Sequence, residues 1–385
     1  MIPRLLASEF EKLLSWFPVV SVTGPRQSGK STLVRMELPD YGYVNLEDPQ
    51  LRKEALEDPV GFIRNRPSRL IVDEAQYAPD LFSVIQVVSD EQGSAGQYVL
   101  SGSQNFLLAK GIGQSLAGRV GMLKLLPLSY AELSGQPYGD VDEFMVLGGY
   151  PRMRATGMPA ELFFPNYIDT YIERDVAGYL DVRNLTAFKR FLSLCALNAG
   201  NLVNYAGLAR DVDVDVRTVK SWLSMLEASY VVYLLPPYYS NKGKRLVKSP
   251  KLYFCDTGLL CHLLGIASVD LLNSSEHLGA VVENLVVAET LKAHLNRGER
   301  PELYFYRDDS KVEVDLLDFT EQGCRKMIEV KSGRTYRDNW ARHLTSVGDA
   351  LGIARENRAV VCRVEHSFEA KGAQVVCLSD WLLSA

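Results

Sequence analysis

The segment GPRQSGKS at residues 24–31 constrains the fold of this chain more than any other part of its sequence. It fits the pattern GxxxxGK followed by Ser or Thr, whose glycines let backbone N–H groups curl around the phosphates of a nucleotide. The apolar run 19–23 precedes it and a helical pattern begins near Ser31, which is the strand, loop and helix order that the pattern requires. We therefore predict a phosphate-binding loop rather than a glycine turn that happens to precede a lysine and a serine.

Short apolar runs alternate with helical patterns over residues 1–130. Each run is bounded by turn residues and is nearly all apolar, as expected of a strand that is buried on both faces of a sheet. The predicted strands are 19–23, 43–46, 70–72, 98–101 and 122–125. Strands and helices that alternate in this way form a parallel sheet covered by helices, so we predict an α/β P-loop core over residues 1–146.

Two acids, Asp73 and Glu74, end the third of these strands in the segment RLIVDEAQ. Acids in this position beside an intact phosphate loop indicate hydrolysis of ATP rather than binding alone. We predict that Lys30 reaches the β- and γ-phosphates, that Ser31 and Asp73 hold Mg²⁺, and that Glu74 is the base that polarises the attacking water. The predicted cofactors are ATP and Mg²⁺. The predicted nucleotide-binding residues are Gly24, Pro25, Arg26, Gln27, Ser28, Gly29, Lys30, Ser31, Thr32 and Ser103.

Other polar residues lie near the fourth and fifth predicted strands. Ser103 and Gln104 follow the fourth strand, where a polar side chain next to the acids is able to sense the γ-phosphate. Arg119 opens the fifth strand. We predict two alternative roles for it: an arginine finger on a nucleotide of the same or a neighbouring chain, or an arginine that is solvated or salt-bridged.

The charge and cysteine content of the 385-residue chain exclude several classes of protein. Lysine and arginine number 42 and aspartate and glutamate 47, which gives a net charge of -5. No overall positive field therefore draws the chain to nucleic acid or to anionic lipid, and any such contact is local. The six cysteines show no spacing typical of a zinc site, and no segment has the pattern of a signal peptide or a membrane span. We expect a cytoplasmic protein without membrane contact.

Helical patterns dominate residues 147–251, which we predict to be a second domain. Helix-like segments at 205–212 and 216–229 are followed by an apolar strand at 230–235 and a polar loop. This order is typical of a winged helix-turn-helix, and a plain three-helix module is the alternative. The loop is predicted either to contact DNA phosphates without reading the base sequence or to be solvated. Its basic residues are Lys242, Lys244, Arg245, Lys248 and Lys251.

Residues 252–385 return to a mixed α/β pattern, with a helix at 279–294 and strands at 303–307, 313–318, 325–331 and 359–363. Because side chains alternate along a strand, Glu329 and Lys331 are expected to project from the same face. With Asp315 on an earlier strand and Glu283 on the helix, the set resembles the PD-(D/E)XK nuclease motif. That resemblance implies that acids, here Asp315 and Glu329, bind a metal and that the lysine positions water. Chance alternation of charged residues is the alternative.

Several short motifs follow one another in the order GPRQSGKS, LIVDEAQ, VLSGSQ, SLAGR, PLSYAEL, GGYP, YIERDV and PKLYFCDTGL. They span nearly the whole chain and together resemble a large family of prokaryotic AAA-type ATPases. The resemblance implies an AAA ATPase core, a helical and winged-helix middle, and a C-terminal domain similar to restriction endonucleases. It does not imply a settled biological role.

Two functions from different classes are compatible with these motifs. The first is an ATPase that binds or remodels DNA, with branched DNA as one reasonable substrate and with the nuclease activity left open. The second is a regulatory or signalling ATPase whose winged-helix and C-terminal domains bind protein partners and whose nuclease site is vestigial. A nucleotide-bound switch without turnover is disfavoured by Glu74. AAA relatives often form rings, so a homo-oligomeric ring is one expected state and a monomer or dimer is the other.

Overall fold

A computed structural model describes residues 2–103, 116–134, 140–172, 185–238 and 249–384. The chain forms two compact units. The first comprises Met1–Pro127, Ala228–Tyr230 and Leu295–Gly298, and the second comprises Leu128–Glu227, Val231–His294 and Glu299–Ala385. The predicted division after residues 146 and 251 into three domains stays a prediction.

The first unit contains a parallel five-stranded sheet in the order β2-β3-β4-β1-β5. Its strands are β1 (Val19–Thr23), β2 (Gly42–Asn45), β3 (Leu70–Asp73), β4 (Tyr98–Gly102) and β5 (Val120–Lys124). The predicted α/β fold with a parallel sheet is therefore confirmed. The fifth strand begins two residues earlier than predicted, because Val120 pairs with Val19 at the start of β1.

Helices cover both faces of this sheet. Leu70 and Val72 pack with Phe82 on one face, while Ile71 packs with Val34 on the other. Because alternate residues of β3 enter two different cores, the strand is apolar at every position before Asp73. The helices of this unit are Ala7–Trp16, Lys30–Glu37, Pro49–Glu57, Pro59–Arg64 and Leu81–Gln92, with a 3-10 turn at Ala75–Tyr77.

The second unit begins with helices. Trp222 packs against Phe188 and Phe191, with ring centroids 5.3 and 5.4 Å apart. After the helices Tyr205–Val212 and Val216–Ala228 the chain forms an antiparallel pair of strands, β6 (Val232–Leu235) and β7 (Lys251–Phe254). The helices are Tyr130–Leu133, Val141–Leu147, Pro151–Thr156, Ala160–Tyr167, Leu185–Leu197, Tyr205–Val212 and Val216–Ala228, with a π-helix at Ile168–Ile172. The two helices and the strand that the sequence predicts over residues 205–235 are thus present, and a second strand follows them.

The GGYP and CDTGL motifs meet at the buried carboxylate of Asp256. It accepts hydrogen bonds from the backbone N–H of Gly149 (2.7 Å) and of Leu259 (3.1 Å), and the latter bond caps the helix Thr257–Leu263. Gly148 has a φ of +68°, and a Cβ there would lie 2.1 Å from an Asp256 carboxylate oxygen. Both the conformation and the space therefore require glycine, which gives these motifs a structural role.

A six-stranded mixed sheet forms the C-terminal part of the second unit, in the order β12-β13-β11-β10-β9-β8. The β10-β11 and β11-β13 pairs are parallel and the others antiparallel. The strands are β8 (Leu303–Arg307), β9 (Glu313–Asp318), β10 (Lys326–Lys331), β11 (Arg358–Cys362), β12 (Phe368–Ala370) and β13 (Ala373–Cys377). The remaining helices are Val269–Ser274, Leu278–Asn296, Arg342–Leu351 and Leu378–Ser384, with 3-10 turns at Asp338–Ala341 and Arg355–Asn357.

The described residues include no helix that is both long enough and apolar enough to cross a membrane.

Candidate functional site

The phosphate loop leaves the end of β1 at Gly24. A Cβ at Gly24 would lie 2.0 Å from the carbonyl oxygen of Leu125, the residue after β5, so the backbone there passes too close for any side chain. Gly29 has a φ of +94° and precedes the helix Lys30–Glu37. The loop therefore turns in the left-handed region directly into a helix, and this leaves the N–H groups of the first helical turn facing the place of a bound anion.

The side chain of Lys30 is folded against this loop. Its Nζ donates hydrogen bonds to the carbonyl oxygens of Gly24 (3.0 Å) and Pro25 (2.9 Å), and the residue is buried. Ser31 is half-buried and Thr32 exposed in the first turn of the helix. The loop thus presents an ammonium group and a hydroxyl group at a helix N-terminus, which is the chemistry that binds nucleotide phosphates.

The other predicted loop residues lie between Gly24 and Gly29. Gln27 has a φ of +56°, so the chain is also left-handed there. The Ser28 side chain is buried. Arg26 forms an ion pair with Glu47, in which a guanidinium nitrogen lies 3.6 Å from a carboxylate oxygen.

Asp73 lies at the carboxyl end of β3 and is buried. Its Oδ1 accepts a hydrogen bond from the Ser101 hydroxyl (2.5 Å), and its Oδ2 accepts one from the Tyr43 hydroxyl (2.7 Å). The sheet register pairs Asp73 with Ser101, and Gly102 with Thr23. The predicted acid and the phosphate loop therefore leave the same edge of the sheet on strands that are separated by β4 alone.

Glu74 adopts a strained backbone conformation. Its φ is +54°, in the left-handed region that a residue with a side chain rarely occupies, and such strain concentrates at functional sites. Its Oε2 accepts hydrogen bonds from the Ser103 hydroxyl (3.2 Å) and from the Gln76 amide. The predicted base and the predicted sensor residue Ser103 are therefore in direct contact.

Arg119 lies at the amino ends of the strands, whereas the phosphate loop of the same chain lies at their carboxyl ends. It precedes Val120, which pairs with the first residue of β1, whereas the loop follows the last residue of β1. Its guanidinium makes two hydrogen bonds to Asp90, of 2.6 and 2.9 Å. Of its two predicted roles, the ion pair is present, and the finger role is limited by this position to a neighbouring chain. Gln104 lies outside the described residues.

Sequence reasoning missed three residues that hold the two acids: Tyr43, Ser101 and Gln76. Burial, and then the hydrogen bond and negative charge of Asp73, raise the pKa of Tyr43, which therefore remains a hydrogen-bond donor. Ser101 is a polar residue at the end of an otherwise apolar strand, next to the strand that ends in Asp73, and this signal could have identified it. Nothing in the sequence pattern distinguishes Tyr43.

Carboxylates from one helix and two strands meet in the second unit. Glu283 comes from the helix Leu278–Asn296, Asp315 from β9, and Glu329 from β10. Lys331 Nζ donates to Glu329 Oε1 at 2.6 Å, and the backbone N–H of Val330 donates to Asp315 Oδ2 at 2.8 Å. The structure thus brings together the four residues that were predicted as a set, and Glu329 and Lys331 share one face of β10.

Lys251, the first residue of β7, projects into this cluster. Its Nζ lies 2.6 Å from a carboxylate oxygen of Glu313, 3.0 Å from one of Glu283 and 3.8 Å from one of Asp315. Its side chain is only 3% exposed. Both predicted alternatives for the loop, contact with DNA phosphates and solvation, are therefore wrong for Lys251, because its ammonium group is buried among carboxylates. The basic residues Lys242, Lys244, Arg245 and Lys248 lie outside the described residues.

Family models match consecutive parts of the chain. An AAA domain matches residues 17–134, and two domains of unknown function match residues 138–270 (DUF8612) and 278–381 (DUF4143). An uncharacterized protein of Mycobacterium tuberculosis is 33% identical over 99% of this chain and 84% of its own length. The chain belongs to a family of prokaryotic AAA-type P-loop ATPases.

Two further proteins are similar to this chain at lower sequence identity. An uncharacterized protein of Haemophilus influenzae is 24% identical over 94% of this chain and 93% of its own. Among solved structures, a Walker-type ATPase of Pyrococcus abyssi covers 67% of this chain and 94% of its own, at 16% identity and a TM-score of 0.46.

The nucleotide site of this ATPase has donors that suit Mg²⁺. Asp73 supplies a carboxylate and Ser31 a hydroxyl, and Mg²⁺ takes such oxygen ligands together with its own waters and the phosphate oxygens of a nucleotide. One or two protein ligands are enough for this mode of binding. The residues present therefore fit the ion.

The C-terminal cluster has a different electrostatic character. Burial, and then repulsion by Asp315, raise the pKa of Glu283 to about 7, against the opposing effect of Lys251. Burial and Asp315 likewise raise the pKa of Glu329 to about 8, against Lys331. Burial lowers the pKa of Lys251, but the surrounding carboxylates outweigh it and the net shift is upward. The cluster thus keeps Lys251 charged and raises the pKa of two of its carboxyl groups.

This cluster does not fit a divalent metal ion. Within the part of the chain that the structure describes, no group of three or more His, Cys, Asp and Glu side chains is arranged to hold one. The space between Glu283, Glu313 and Asp315 is taken by the Lys251 ammonium. The predicted metal-binding role of Asp315 and Glu329 therefore lacks the donor geometry that the nuclease resemblance implies.

Proposed function

We propose that this AAA-type ATPase hydrolyses ATP with Mg²⁺ and that binding of DNA stimulates the hydrolysis. The observation that carries the first half is the placement of Glu74. Glu74 has a strained backbone and directly follows Asp73, at the same edge of the sheet from which the phosphate loop leaves. Its carboxylate is held by Ser103 and Gln76. A base held in this way is pre-organised to orient a water molecule.

Each residue of the site then has a separate role. Lys30 exchanges its loop carbonyl partners for the oxygens of the β- and γ-phosphates. Ser31 and Asp73 hold Mg²⁺, which when bound neutralises negative charge on the phosphates. Glu74 accepts a proton from the attacking water, and Ser103 keeps the Glu74 carboxylate in place and senses the γ-phosphate.

The helical part of the second unit supports the DNA half of the proposal. The helices Tyr205–Val212 and Val216–Ala228 followed by the β6-β7 pair have the order of a winged helix-turn-helix. Arg217 and Lys220 are exposed on the second helix. Asp215 caps the start of that helix by accepting from the N–H of Arg217 (2.7 Å) and of Thr218 (2.9 Å). A carboxylate at this place repels phosphate, so we expect binding through basic side chains without sequence readout.

The test is release of phosphate from ATP and Mg²⁺, measured without DNA and with single-stranded, duplex and four-way DNA. We expect Lys30→Ala to lower turnover by about 100-fold or more, because a charged group at the phosphates is lost. Lys53→Ala is the matched control, since this lysine is exposed on the helix Pro49–Glu57 and pairs only weakly with Glu57 at 3.8 Å. Glu74→Gln is expected to bind ATP and to hydrolyse it poorly.

Stimulation by one form of DNA would support the coupling and would identify the geometry of the substrate. Equal turnover in all four conditions would contradict it, and would favour a regulatory ATPase whose second unit binds protein partners. Equal turnover of the wild type and Lys30→Ala would contradict hydrolysis at this site.

Arg119 leads to a proposal about assembly. Because it lies at the far edge of the sheet from its own phosphate loop, we propose that it reaches the nucleotide of a neighbouring chain in a homo-oligomer. Turnover per chain is then expected to rise with protein concentration in the wild type and less in Arg119→Ala. Constant turnover over a wide concentration range would contradict this role. The six cysteines are scattered along the sequence without the spacing of a disulfide framework, which supports a reducing compartment, and we propose the cytoplasm.

A further inference from the structure

We propose that Lys251 takes the place of a divalent cation in the C-terminal carboxylate cluster, so that this domain excludes the metal ion that its nuclease-like residue order would otherwise bind. The ammonium contacts Glu313 and Glu283 and lies close to Asp315. These carboxylates come from β9 and from the helix Leu278–Asn296. A single internal cation thus pairs with Glu283 and lies beside Asp315, which are two of the four residues of the nuclease-like set.

The charges of the cluster are already nearly balanced by protein groups. Lys331 pairs with Glu329 at 2.6 Å, and Arg307 donates to Glu313 at 2.9 Å. With Lys251, three cationic side chains face the carboxylates of Glu283, Glu313, Asp315 and Glu329. Buried ions are stable only when they are paired, and little negative charge remains here to attract a divalent ion.

The Lys251 side chain is fixed in this position by its strand. The side-chain amide of Asn284 bonds both to the N–H (2.7 Å) and to the carbonyl oxygen (2.9 Å) of Phe254 at the end of β7. The Tyr253 hydroxyl donates to Glu283 at 2.6 Å. Consecutive residues of the helix, Glu283 and Asn284, therefore hold β7 against it. The backbone from which the Lys251 side chain reaches the carboxylates is therefore anchored to the helix that carries Glu283.

One carboxylate oxygen of the cluster stays open. Glu329 Oε2 is buried and makes no hydrogen bond within the described residues. A divalent ion at this oxygen would be attracted by the charge of Asp315 but would also meet the ammonium group of Lys331, which pairs with the other oxygen of the same carboxylate at 2.6 Å. Like charges at this range repel strongly in a buried site. The open oxygen alone therefore does not provide a metal site.

The experiment measures Mn²⁺ binding to the full chain without nucleotide, by electron paramagnetic resonance. All variants carry Asp73→Asn, which removes the carboxylate of the ATPase site from the measurement. With Lys251 intact we expect no Mn²⁺ bound up to millimolar concentrations. Lys251→Met is expected to bind Mn²⁺ at least about ten times more tightly, and Glu283→Gln in addition is expected to abolish that binding.

Lys292→Met is the matched control, because Lys292 is an equally buried lysine of the same unit that pairs with Glu289 at 2.7 Å. It should acquire no Mn²⁺ site. Since Lys251→Met leaves buried carboxylates without a partner, Lys251→Met/Glu313→Gln is a second variant that removes one charge of each sign and keeps the other carboxylates. Folding of each variant is checked by thermal denaturation.

Mn²⁺ binding by the chain with intact Lys251, lost in Glu329→Gln, would overturn the proposal. A folded Lys251 variant that binds no Mn²⁺ would overturn it as well. If neither Lys251 variant folds, the chain with intact Lys251 decides the question by whether it binds Mn²⁺. None of these results depends on ATP hydrolysis, so the proposed ATPase function is tested separately.

Discussion

At the level of single residues, the carboxylate of Asp73 is held in place by hydroxyl donors on both neighbouring strands. Ser101 on β4 donates to Oδ1 and Tyr43 on β2 donates to Oδ2. Groups that orient a metal ligand in this way commonly change metal affinity 10- to 100-fold when they are removed. We therefore expect Ser101→Ala to raise the Mg²⁺ concentration needed for half-maximal ATP hydrolysis by about 10-fold.

The control for this prediction is Ser89→Ala. Ser89 is also buried in the first unit, but its hydroxyl makes no hydrogen bond within the described residues. A Mg²⁺ dependence that is the same in Ser101→Ala and in the wild type would show that Asp73 does not need this donor.

Glu329 provides a second prediction at the same level, on the pH dependence of stability. Burial, and then the charge of Asp315, raise its pKa to about 8 in the folded chain, while Lys331 opposes the shift and Glu283 adds a little to it. The folded state therefore binds a proton that the unfolded state has lost, and the stability from this group falls as pH rises from about 4.5 towards 8. We expect Glu329→Gln to reduce the fall in the free energy of unfolding between about pH 4.5 and 8.

Chemical denaturation across this pH range is the measurement. Glu321→Gln, which changes an exposed glutamate of the same domain, should leave the pH profile as it is in the wild type. A Glu329→Gln profile that is as steep as that of the wild type would mean that Glu329 titrates in its ordinary range.

At the level of secondary structure, the helix Thr257–Leu263 depends on a buried cap. Asp256 satisfies the N–H of Leu259 in this helix and the N–H of Gly149 in another segment. Its removal leaves both donors buried without a partner, so we expect Asp256→Ala to lower the free energy of unfolding by about 3 kcal/mol. Asp140→Ala is the comparison, because Asp140 caps the helix Val141–Leu147 from an exposed position. This variant should lower the free energy of unfolding by only about 1 kcal/mol. Equal losses in denaturant unfolding would contradict the role of burial.

Helices and strands were predictable from the sequence where the local pattern of apolar residues determines their bounds. The strands Val19–Thr23 and Leu303–Arg307 and the helix Tyr205–Val212 begin and end as predicted. Apolar runs between turn residues define such segments without any knowledge of their neighbours. The phosphate loop and the two acids at the end of β3 were also recognisable in the sequence, because their chemistry depends on residue type at fixed spacing.

Contacts between distant segments were not predictable in the same way. Lys251 belongs to a basic stretch of sequence, yet the pairing of β7 with β6 and the bonds from Asn284 place it among carboxylates. Charge alone therefore gave the wrong environment for this residue. The same limit applies to Tyr43, which meets Asp73 only because β2 and β3 are neighbours in the sheet.

At the level of the whole molecule, each unit has hydrophobic cores of its own. Two apolar clusters are built from residues of the first unit, around Phe82 and around Phe10, and another from residues of the second unit, around Leu344. Units with separate cores commonly unfold in separate transitions, and a ligand stabilises only the unit that binds it. All residues of the proposed ATP site lie in the first unit, whereas Asp256 lies in the second.

We therefore expect calorimetry to show two unfolding transitions. At about 100 times its Kd, ATP with Mg²⁺ should stabilise one transition by about 2.7 kcal/mol, and this shift should be absent in Lys30→Ala. Asp256→Ala should lower the other transition and leave the ATP-dependent one in place, because its lost hydrogen bonds belong to the second unit. If ATP and Asp256→Ala both move one shared transition, the two units unfold as a single cooperative structure, and the prediction is contradicted.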